Sequence, residues 1–221
     1  MNVFLAVLWK DLLTEWRSRD RAIAMIVFSL LVVVTFHFSL PGGATARMQG
    51  TAPGLLWIAY VFAAILGFNR AFSLELENDA LAGIALVPVD RGWVFLGKAA
   101  ANLVILGVVQ ILIAAVFGLV FELDLTPIAA PLAGILLLGS LGLCSVGTLF
   151  AAVAVRTRFR EVMLPLLMLP LLIPVLLGSV RATASLFADG TVDFAPIQLL
   201  LVTDSIYLIV SIVGFDFVLD E

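Results

Sequence analysis

The chain has 221 residues, of which 63% are hydrophobic and 13% are charged, and its mean hydropathy is +1.20. Globular proteins carry roughly 45–50% apolar and about 25% charged residues. These values exclude a water-soluble domain, and they exclude a disordered chain, which needs low hydrophobicity and high charge. One cysteine and one histidine exclude a disulfide framework and a multi-cysteine metal site, and the net charge is −4. We therefore expect a membrane protein with no catalytic residues, no metal site and no nucleic-acid partner.

Residues 1–20 are predicted to form an amphipathic helix that lies on lipid along the cytoplasmic membrane interface. Apolar side chains recur at helical spacing, and the two tryptophans suit the depth of the lipid headgroups. Val7 is an exception, because it lies on the polar side. A soluble amphipathic leader is the alternative. The apolar side comprises Leu5, Leu8, Trp9, Leu12 and Trp16, and the polar side comprises Lys10, Asp11, Thr14, Arg17 and Ser18.

Six apolar runs follow, each of about 18 residues or more, the length that crosses roughly 30 Å of hydrocarbon as a helix. Backbone polar groups find no water there, so the runs must be helical. The predicted fold is an all-α membrane protein with one transmembrane domain over residues 1–221. A polar stretch, 182–193, is expected to form an outer-face loop or short hairpin. The predicted spans are about 22–40, 51–69, 99–121, 128–155, 162–180 and 196–217.

Lysine and arginine residues predict the orientation, because they are retained on the cytoplasmic side. Of the 12 basic residues, all except Arg47 and Arg181 lie in the leader and in the segments that six spans place on the same side. Both termini are therefore expected in the cytoplasm. Since five more apolar runs follow the first, we interpret the first as a retained span and not as a cleaved signal peptide.

One sizeable insertion, 70–98, lies between spans 2 and 3 on the cytoplasmic side. Residues 73–87 are predicted to form a helix of about three turns that Pro88 ends. Ser73 can cap this helix, and two glutamates follow early, where the helix dipole favours anions. A short helix that protrudes from a membrane bundle can dock into a groove on a partner protein. An ordinary interfacial connector is the alternative.

Residues 92–98 (GWVFLGK) match the phosphate-binding loop as far as its lysine. Ala99, however, stands where a serine or threonine must contact magnesium, and no strand precedes the segment. Trp93 and Phe95 suit the interfacial start of the third span. We therefore expect no nucleotide site here, and no ATPase activity in this chain.

The fifth span carries three prolines, Pro165, Pro170 and Pro174. Each removes a backbone donor and crowds a preceding carbonyl, although neighbours in a membrane bundle can satisfy the freed groups. Three prolines within ten residues predict a kinked or partly broken helix that can hinge during transport. A merely bent packing helix is the alternative.

Asp204 is a candidate for the transport pathway, because it lies about nine residues, or about 12 Å, into the last span. A carboxylate at such a depth is costly, and its default interpretation is functional. Two alternatives remain open. The span can begin late enough to leave Asp204 at the interface, or Thr203 and Ser205 can help to satisfy it against a neighbouring helix.

His37 and Cys144 are the only histidine and cysteine of the chain. His37 lies near the outer end of the first span, where it is either an axial heme ligand or an interfacial anchor. Cys144 is flanked by glycine and serine residues that allow helices to approach closely, so it is interpreted as a packing residue.

Several sequence blocks resemble the CcmB family, the membrane permeases of the heme exporter used in cytochrome c maturation. The blocks occur in the family's order, and the resemblance covers nearly the whole chain with matching length and number of spans. The blocks are residues 52–57 (APGLLW), 78–81 (NDAL), 86–91 (LVPVDR), 95–98 (FLGK), 147–149 (GTL) and 169–174 (LPLLIP).

The resemblance implies an ABC-2-like permease in the bacterial inner membrane that contributes half of a dimeric translocation pathway. It implies a separate CcmA-type ATPase that uses ATP, the membrane subunits CcmC and CcmD, and the heme chaperone CcmE on the outer face. Heme is the implied transported substrate, and no tightly bound cofactor is expected. The segment 70–98 becomes the coupling element, in which the residues expected to bind the ATPase are Ser73, Glu75, Glu77, Asn78, Asp79, Leu81 and Pro88.

Three classes of function therefore remain. The first is a heme-export permease, which remodels heme for delivery or carries it. The second is a related ABC-2 permease for a lipid, a drug or a glycan precursor. The third is an ion-coupled carrier or a structural assembly subunit, which ranks last because a carrier needs polar pairs in several spans and only Asp204 is deeply placed.

Overall fold

The computed structural model describes residues 3–39, 45–71, 90–154 and 159–220 of the chain. Within these ranges the fold is helical, and six helices, α2 to α7, are long and apolar enough to cross a membrane. This confirms the prediction of an all-α protein with six spans. The helices are α1 (Val3–Ser18), α2 (Asp20–Ser39), α3 (Thr45–Ala71), α4 (Arg91–Val120), α5 (Ala129–Ala154), α6 (Arg160–Asp189) and α7 (Phe194–Asp220), with a 3₁₀ turn (Thr126–Ile128) before α5.

Helix α5 is the centre of the bundle, where it contacts α3, α4, α6 and α7. The membrane-spanning parts of α3 and α5 are mostly buried, whereas α2 and α7 leave most of their side chains exposed. The exposed side chains of α2, α6 and α7 are largely Val, Leu, Ile and Phe, which a lipid environment solvates well. The interior is filled by large side chains that include Trp57, Tyr60, Phe95, Phe117 and Phe215.

Hydrogen bonds between helix ends align the bundle. The Arg70 guanidinium donates to the carbonyl of Asp20 over 3.5 Å, and the Arg91 guanidinium donates to the carbonyl of Asp216 over 3.0 Å. The start of α2, the end of α3, the start of α4 and the end of α7 therefore lie together, and α1 joins them. We call this the basic end. At the opposite end, the rings of His37 and Phe121 lie 5.7 Å apart.

Helix α1 has two apolar faces, where the sequence pattern predicted one. Val7 is half-buried and packs against the bundle, which explains why an apolar residue stood on the predicted polar side. Trp9 and Trp16 are 69% and 72% exposed, as expected of residues that lie among lipid headgroups. Leu12, predicted to share their face, is instead half-buried against the core. Apolar periodicity does not separate these faces, because lipid and protein both bury apolar side chains.

Helix α4 begins earlier than predicted. Asp90 caps it by accepting a hydrogen bond of 2.9 Å from the Gly92 N–H, so residues 91–98 of the predicted coupling segment belong to α4. The stretch that matches a phosphate-binding loop, 92–98, is thus helical. A phosphate-binding loop presents backbone N–H groups to the phosphates before its helix begins, whereas here the Gly92 N–H is already bonded to Asp90.

The prediction of a loop over 182–193 is wrong for most of its length, because α6 continues to Asp189. Ala182, Thr183 and Leu186 are fully buried, and this spacing of three and four residues is that of a helix face packed on neighbours. The helix ends at Gly190, whose φ of +67° is the left-handed conformation that glycine adopts readily.

Candidate functional site

The residues expected to bind an ATPase lie outside the part of the chain that the structure describes. These residues are Ser73, Glu75, Glu77, Asn78, Asp79, Leu81 and Pro88. The structure does describe the helices on either side, since α3 ends at Ala71 and α4 begins at Arg91. Any force on the intervening residues therefore acts on the ends of two membrane-spanning helices.

The first two turns of α4 are held tightly by α1. Gly97 faces α1 so closely that a Cβ atom there would lie 2.9 Å from the Val7 Cβ and 3.0 Å from the Phe4 carbonyl oxygen. Lys98 is only 2% exposed, and its Nζ lies 3.2 Å from Asp11 Oδ2. Close backbone approach and an ion pair whose lysine is buried therefore join the N-terminal helix to α4, the helix that follows the predicted coupling segment.

A polar network centred on Arg21 extends this connection to four helices. Arg21 Nε lies 3.0 Å from Glu15 Oε2 on α1, and Arg21 Nη1 donates over 2.9 Å to Asn102 Oδ1 on α4. Asn102 Nδ2 then donates over 2.8 Å to Thr148 Oγ1 on α5. In the sequence, Arg21 is one of the basic residues that predict the orientation, and nothing beside it predicts this network. The available signal was Asn102, an amide side chain inside an apolar run.

We expect Arg21→Lys to weaken the bundle, because a lysine ammonium cannot hold the planar, two-directional hydrogen bonds of a guanidinium. Loss of one hydrogen bond to a charged group costs about 1.5–3 kcal/mol. Thermal unfolding of the purified protein in detergent measures the effect. Arg17→Lys, an exposed site on α1, is the matched control and should change the unfolding temperature little. Equal stability of the two variants would contradict a structural role for the Arg21 network.

Asp204 is buried in the bundle, with 7% of its surface exposed. It lies ten residues from Phe194, the first residue of α7. One of its oxygens lies against Gly142 of α5. Ser205 does not satisfy it, because the Ser205 hydroxyl donates to the Leu201 carbonyl over 2.7 Å. Among the described residues, neither carboxylate oxygen of Asp204 has a hydrogen-bond partner.

The three prolines, Pro165, Pro170 and Pro174, lie inside α6, which is assigned as helix throughout Arg160–Asp189. The expected partial break of the helix is therefore not observed. Tyr207 of α7 donates to the carbonyl of Leu171, between the second and third prolines, over 2.5 Å. This bond fastens α7 to α6 within the proline-containing part of α6, one residue beyond Pro170, whose carbonyl Pro174 leaves without a helical donor.

Two further hydrogen-bonded groups lie inside the bundle. Trp57 Nε1 of α3 donates to Thr183 Oγ1 of α6 over 3.0 Å. On the other side of α5, the hydroxyl of Ser140 donates to Gln110 Oε1 over 2.7 Å, and the Tyr60 hydroxyl donates to the Gln110 carbonyl over 3.0 Å. The interior of the bundle therefore contains several polar side chains besides Asp204, the one charged residue that the sequence places deep in a span.

His37 and Cys144 lie in different surroundings. His37 is exposed at the end opposite the basic end, edge-on to the rings of Phe38 and Phe121. That environment is apolar and aromatic, and it suits an interfacial anchor as well as it suits heme. Cys144 is buried in α5, in agreement with its interpretation as a packing residue.

Comparison with known proteins identifies the family. The model of the CcmB protein family matches residues 2–217. Heme exporter protein B of Paracoccus denitrificans is 33% identical over 179 residues, which are 80% of each chain. The protein of the same name from Bradyrhizobium diazoefficiens is 28% identical over 211 residues, 96% of this chain and 94% of the relative. The one from Pseudomonas aeruginosa is 31% identical over 186 residues, 84% and 82% of the two chains. With a match that extends over nearly all of its six spans and its N-terminal helix, this chain belongs to the CcmB family.

Proposed function

We propose that this chain is the membrane permease of a heme exporter that serves c-type cytochrome biogenesis. It couples ATP hydrolysis by a separate CcmA-type ATPase to heme translocation, or to the release of a heme-loaded CcmE chaperone. It works as a homodimer within a complex that also contains CcmC and CcmD. The proposal is supported by the family to which the chain belongs and by the names of its relatives.

Both termini are assigned to the cytoplasmic side of the bacterial inner membrane. The described basic side chains at the basic end include Arg21, Arg70, Arg91 and Lys98, and basic residues favour the cytoplasmic side. The ATPase then approaches the same end, where the coupling segment leaves α3 and returns to α4.

The contact between α1 and the start of α4 is the observation that carries the coupling mechanism. Movement of the segment 72–89 shifts the start of α4, and Gly97 and Lys98 transmit that shift to α1. The Arg21 network passes it on to α2 and α5. Packed helices respond to such shifts as rigid bodies, so the whole bundle can follow the ATPase. The prolines of α6 are the candidate hinge for this change.

The coupling proposal predicts that Asp79→Lys combined with Leu81→Glu abolishes ATPase binding while membrane insertion persists. The double change reverses one charge and adds another on an apolar contact surface, which disfavours docking of a helix in a groove. Co-purification of the ATPase in detergent measures the outcome. The control is Asp193→Lys with Phe194→Glu, which reverses one charge and replaces one apolar residue with glutamate at two exposed positions of the opposite end. Normal ATPase yield with the first pair would refute the assignment.

A deletion strain tests the cargo. If heme delivery depends on this chain, the strain should lose heme release from CcmE to cytochrome c, and the plasmid-borne gene should restore it. Heme bound to CcmE is measured separately from free periplasmic heme. A change in free heme alone indicates translocation. A change in chaperone-bound heme alone indicates ATP-driven release. Unchanged values for both would favour an ABC-2 permease for a lipid, a drug or a glycan precursor.

A further inference from the structure

Three buried polar side chains lie at one level of the bundle. Asp204 is ten residues after Phe194, Ser179 is ten residues before Asp189, and Gln110 is ten residues before Val120. Each is therefore about 15 Å of helix from the end opposite the basic end, in helices that are long enough to extend beyond a hydrocarbon core of about 30 Å. In the described part of the chain, these three side chains carry all the buried side-chain polar atoms that lack a hydrogen-bond partner.

Asp204 and Ser179 face the same side of α5. Asp204 Oδ1 lies against Gly142, and a Cβ atom on Gly139 would lie 2.5 Å from the Ser179 hydroxyl oxygen. Residues three apart share one side of a helix, so the two polar groups are about one turn from each other. A methyl group of Val175 also lies against Gly142. The Asp204 carboxyl thus occupies a narrow, mostly apolar slot with one hydroxyl nearby.

An ionised carboxylate in such a slot would be very unfavourable, because nothing there replaces its hydration. A metal cation would not correct this, since hard cations need six or more oxygen ligands, and the slot offers a carboxyl and a hydroxyl among glycine and valine atoms. A proton needs only the carboxylate oxygen itself. We propose that Asp204 is a proton-binding site in the membrane interior, loaded while α7 packs against α5 at Gly142 and able to exchange its proton when water enters that seam.

No other ionisable group facing the slot competes for this role in the described part of the chain. Helix α7 packs against α4, α5 and α6. On α4, Arg91 and Lys98 lie at the basic end, and on α5 Cys144 points away from the Gly142 side. On α6, Arg181 is exposed on the side away from Ser179. The titratable neighbour on α7 is Tyr207, whose hydroxyl is engaged by the Leu171 carbonyl.

That hydroxyl contact also connects the site to the proline-containing part of α6. Tyr207 follows Asp204 by three residues, on the same side of α7, and holds α6 between Pro170 and Pro174. Movement of α6 at this contact therefore alters the seam that covers Asp204. The proton site itself does not depend on the identity of the cargo or of the ATPase.

A hydrophobic carbodiimide tests the proposal directly. The proton of a carboxylic acid and one carboxyl oxygen add across the N=C bond of the reagent, and the product rearranges to a stable N-acylurea with no atom lost. The reagent partitions into bilayers and needs the protonated acid. Membrane vesicles that contain the wild-type complex are treated with dicyclohexylcarbodiimide over a pH series, and the adduct is located by mass spectrometry of peptides.

Asp204 should carry the adduct, and labelling should fall about tenfold for each pH unit above the point at which the carboxyl ionises. Asp124 is the internal control in the same chain. It is exposed, and hydrogen bonds from the side chain and backbone of Thr126 lower the pKa of its carboxyl, so it should remain unlabelled. Asp204→Asn should lose the adduct without loss of membrane insertion.

Infrared difference spectra provide a second measurement that does not require reagent access. The spectrum of Asp204→Asn is subtracted from that of the wild type at the same pH. The difference should contain the carbonyl band of a protonated carboxylic acid, which the wild type has and Asp204→Asn lacks. Absence of both the adduct and the band would overturn the proposal. Protection by sodium ions at constant pH would also overturn it, because it would identify a cation site. Labelling that stays constant across the pH series would show that the carboxyl does not exchange its proton, against the proposal.

Discussion

Replacing Gly147 with valine should prevent α3 and α5 from packing and should cost the protein about 3 kcal/mol or more of stability. A Cβ atom at Gly147 would overlap three ring carbons of Phe68. Phe68 is itself buried and has little room to move in an interior packed as densely as a crystal. Unfolding of the purified protein in mixed detergent micelles, followed by circular dichroism, measures the change in free energy.

The same helix offers a matched control. Gly134 of α5 has no atom within 4 Å of an added Cβ, so Gly134→Ala should be neutral or should stabilise the helix by about 0.5–1 kcal/mol. If Gly147→Val unfolds no more easily than this control, then the contact between Gly147 and Phe68 does not hold the bundle together. Adding Phe68→Leu to Gly147→Val should restore part of the lost stability, because a smaller side chain relieves the overlap.

The six spans could be predicted because the length and hydropathy of each run are set by the bilayer and hardly depend on neighbouring helices. The CcmB resemblance, stated from short blocks such as 169–174, is confirmed by a family model that matches residues 2–217. The partners of individual side chains could not be predicted in the same way. Nothing in the sequence near Gly147 identifies Phe68, 79 positions earlier, as the ring it accommodates.

The errors have a common physical origin. Residues 182–193 looked like an outer-face loop because they contain polar side chains, yet Thr183 is satisfied inside the bundle by the indole of Trp57. Asp11 was assigned to the polar side of α1, yet it pairs with the buried Lys98, 87 residues away. A polarity pattern assumes that polar side chains face water. In a membrane protein they can instead face one another across helices, and only the fold reveals which residues meet.

The ion pair between Asp11 and Lys98 predicts a large loss of stability in Asp11→Lys. This change places two ammonium groups where Asp11 Oδ2 and Lys98 Nζ lie 3.2 Å apart. Removing one partner of a buried ion pair costs about 3–5 kcal/mol. Lys98 is 2% exposed and Asp11 is 18% exposed, so we expect the lower end of that range, about 3 kcal/mol, to which the repulsion between like charges adds. Helix α1 should therefore detach from α4, and ATP-driven transport should be lost even though the six spans insert normally.

Thiol accessibility measures the detachment. Val7→Cys in a Cys144→Ser background places a reporter thiol in the contact between α1 and α4. If Asp11→Lys lowers the free energy of that contact by about 3 kcal/mol, the thiol should react with maleimide roughly a hundredfold faster. Asp20→Lys makes the same charge change at an exposed residue, where loss of a favourable helix-terminal charge costs at most about 1 kcal/mol. The exchanged pair, Asp11→Lys with Lys98→Asp, should slow the maleimide reaction again. If the exchanged pair reacts as fast as Asp11→Lys alone, attraction between residues 11 and 98 is not what holds α1 against α4.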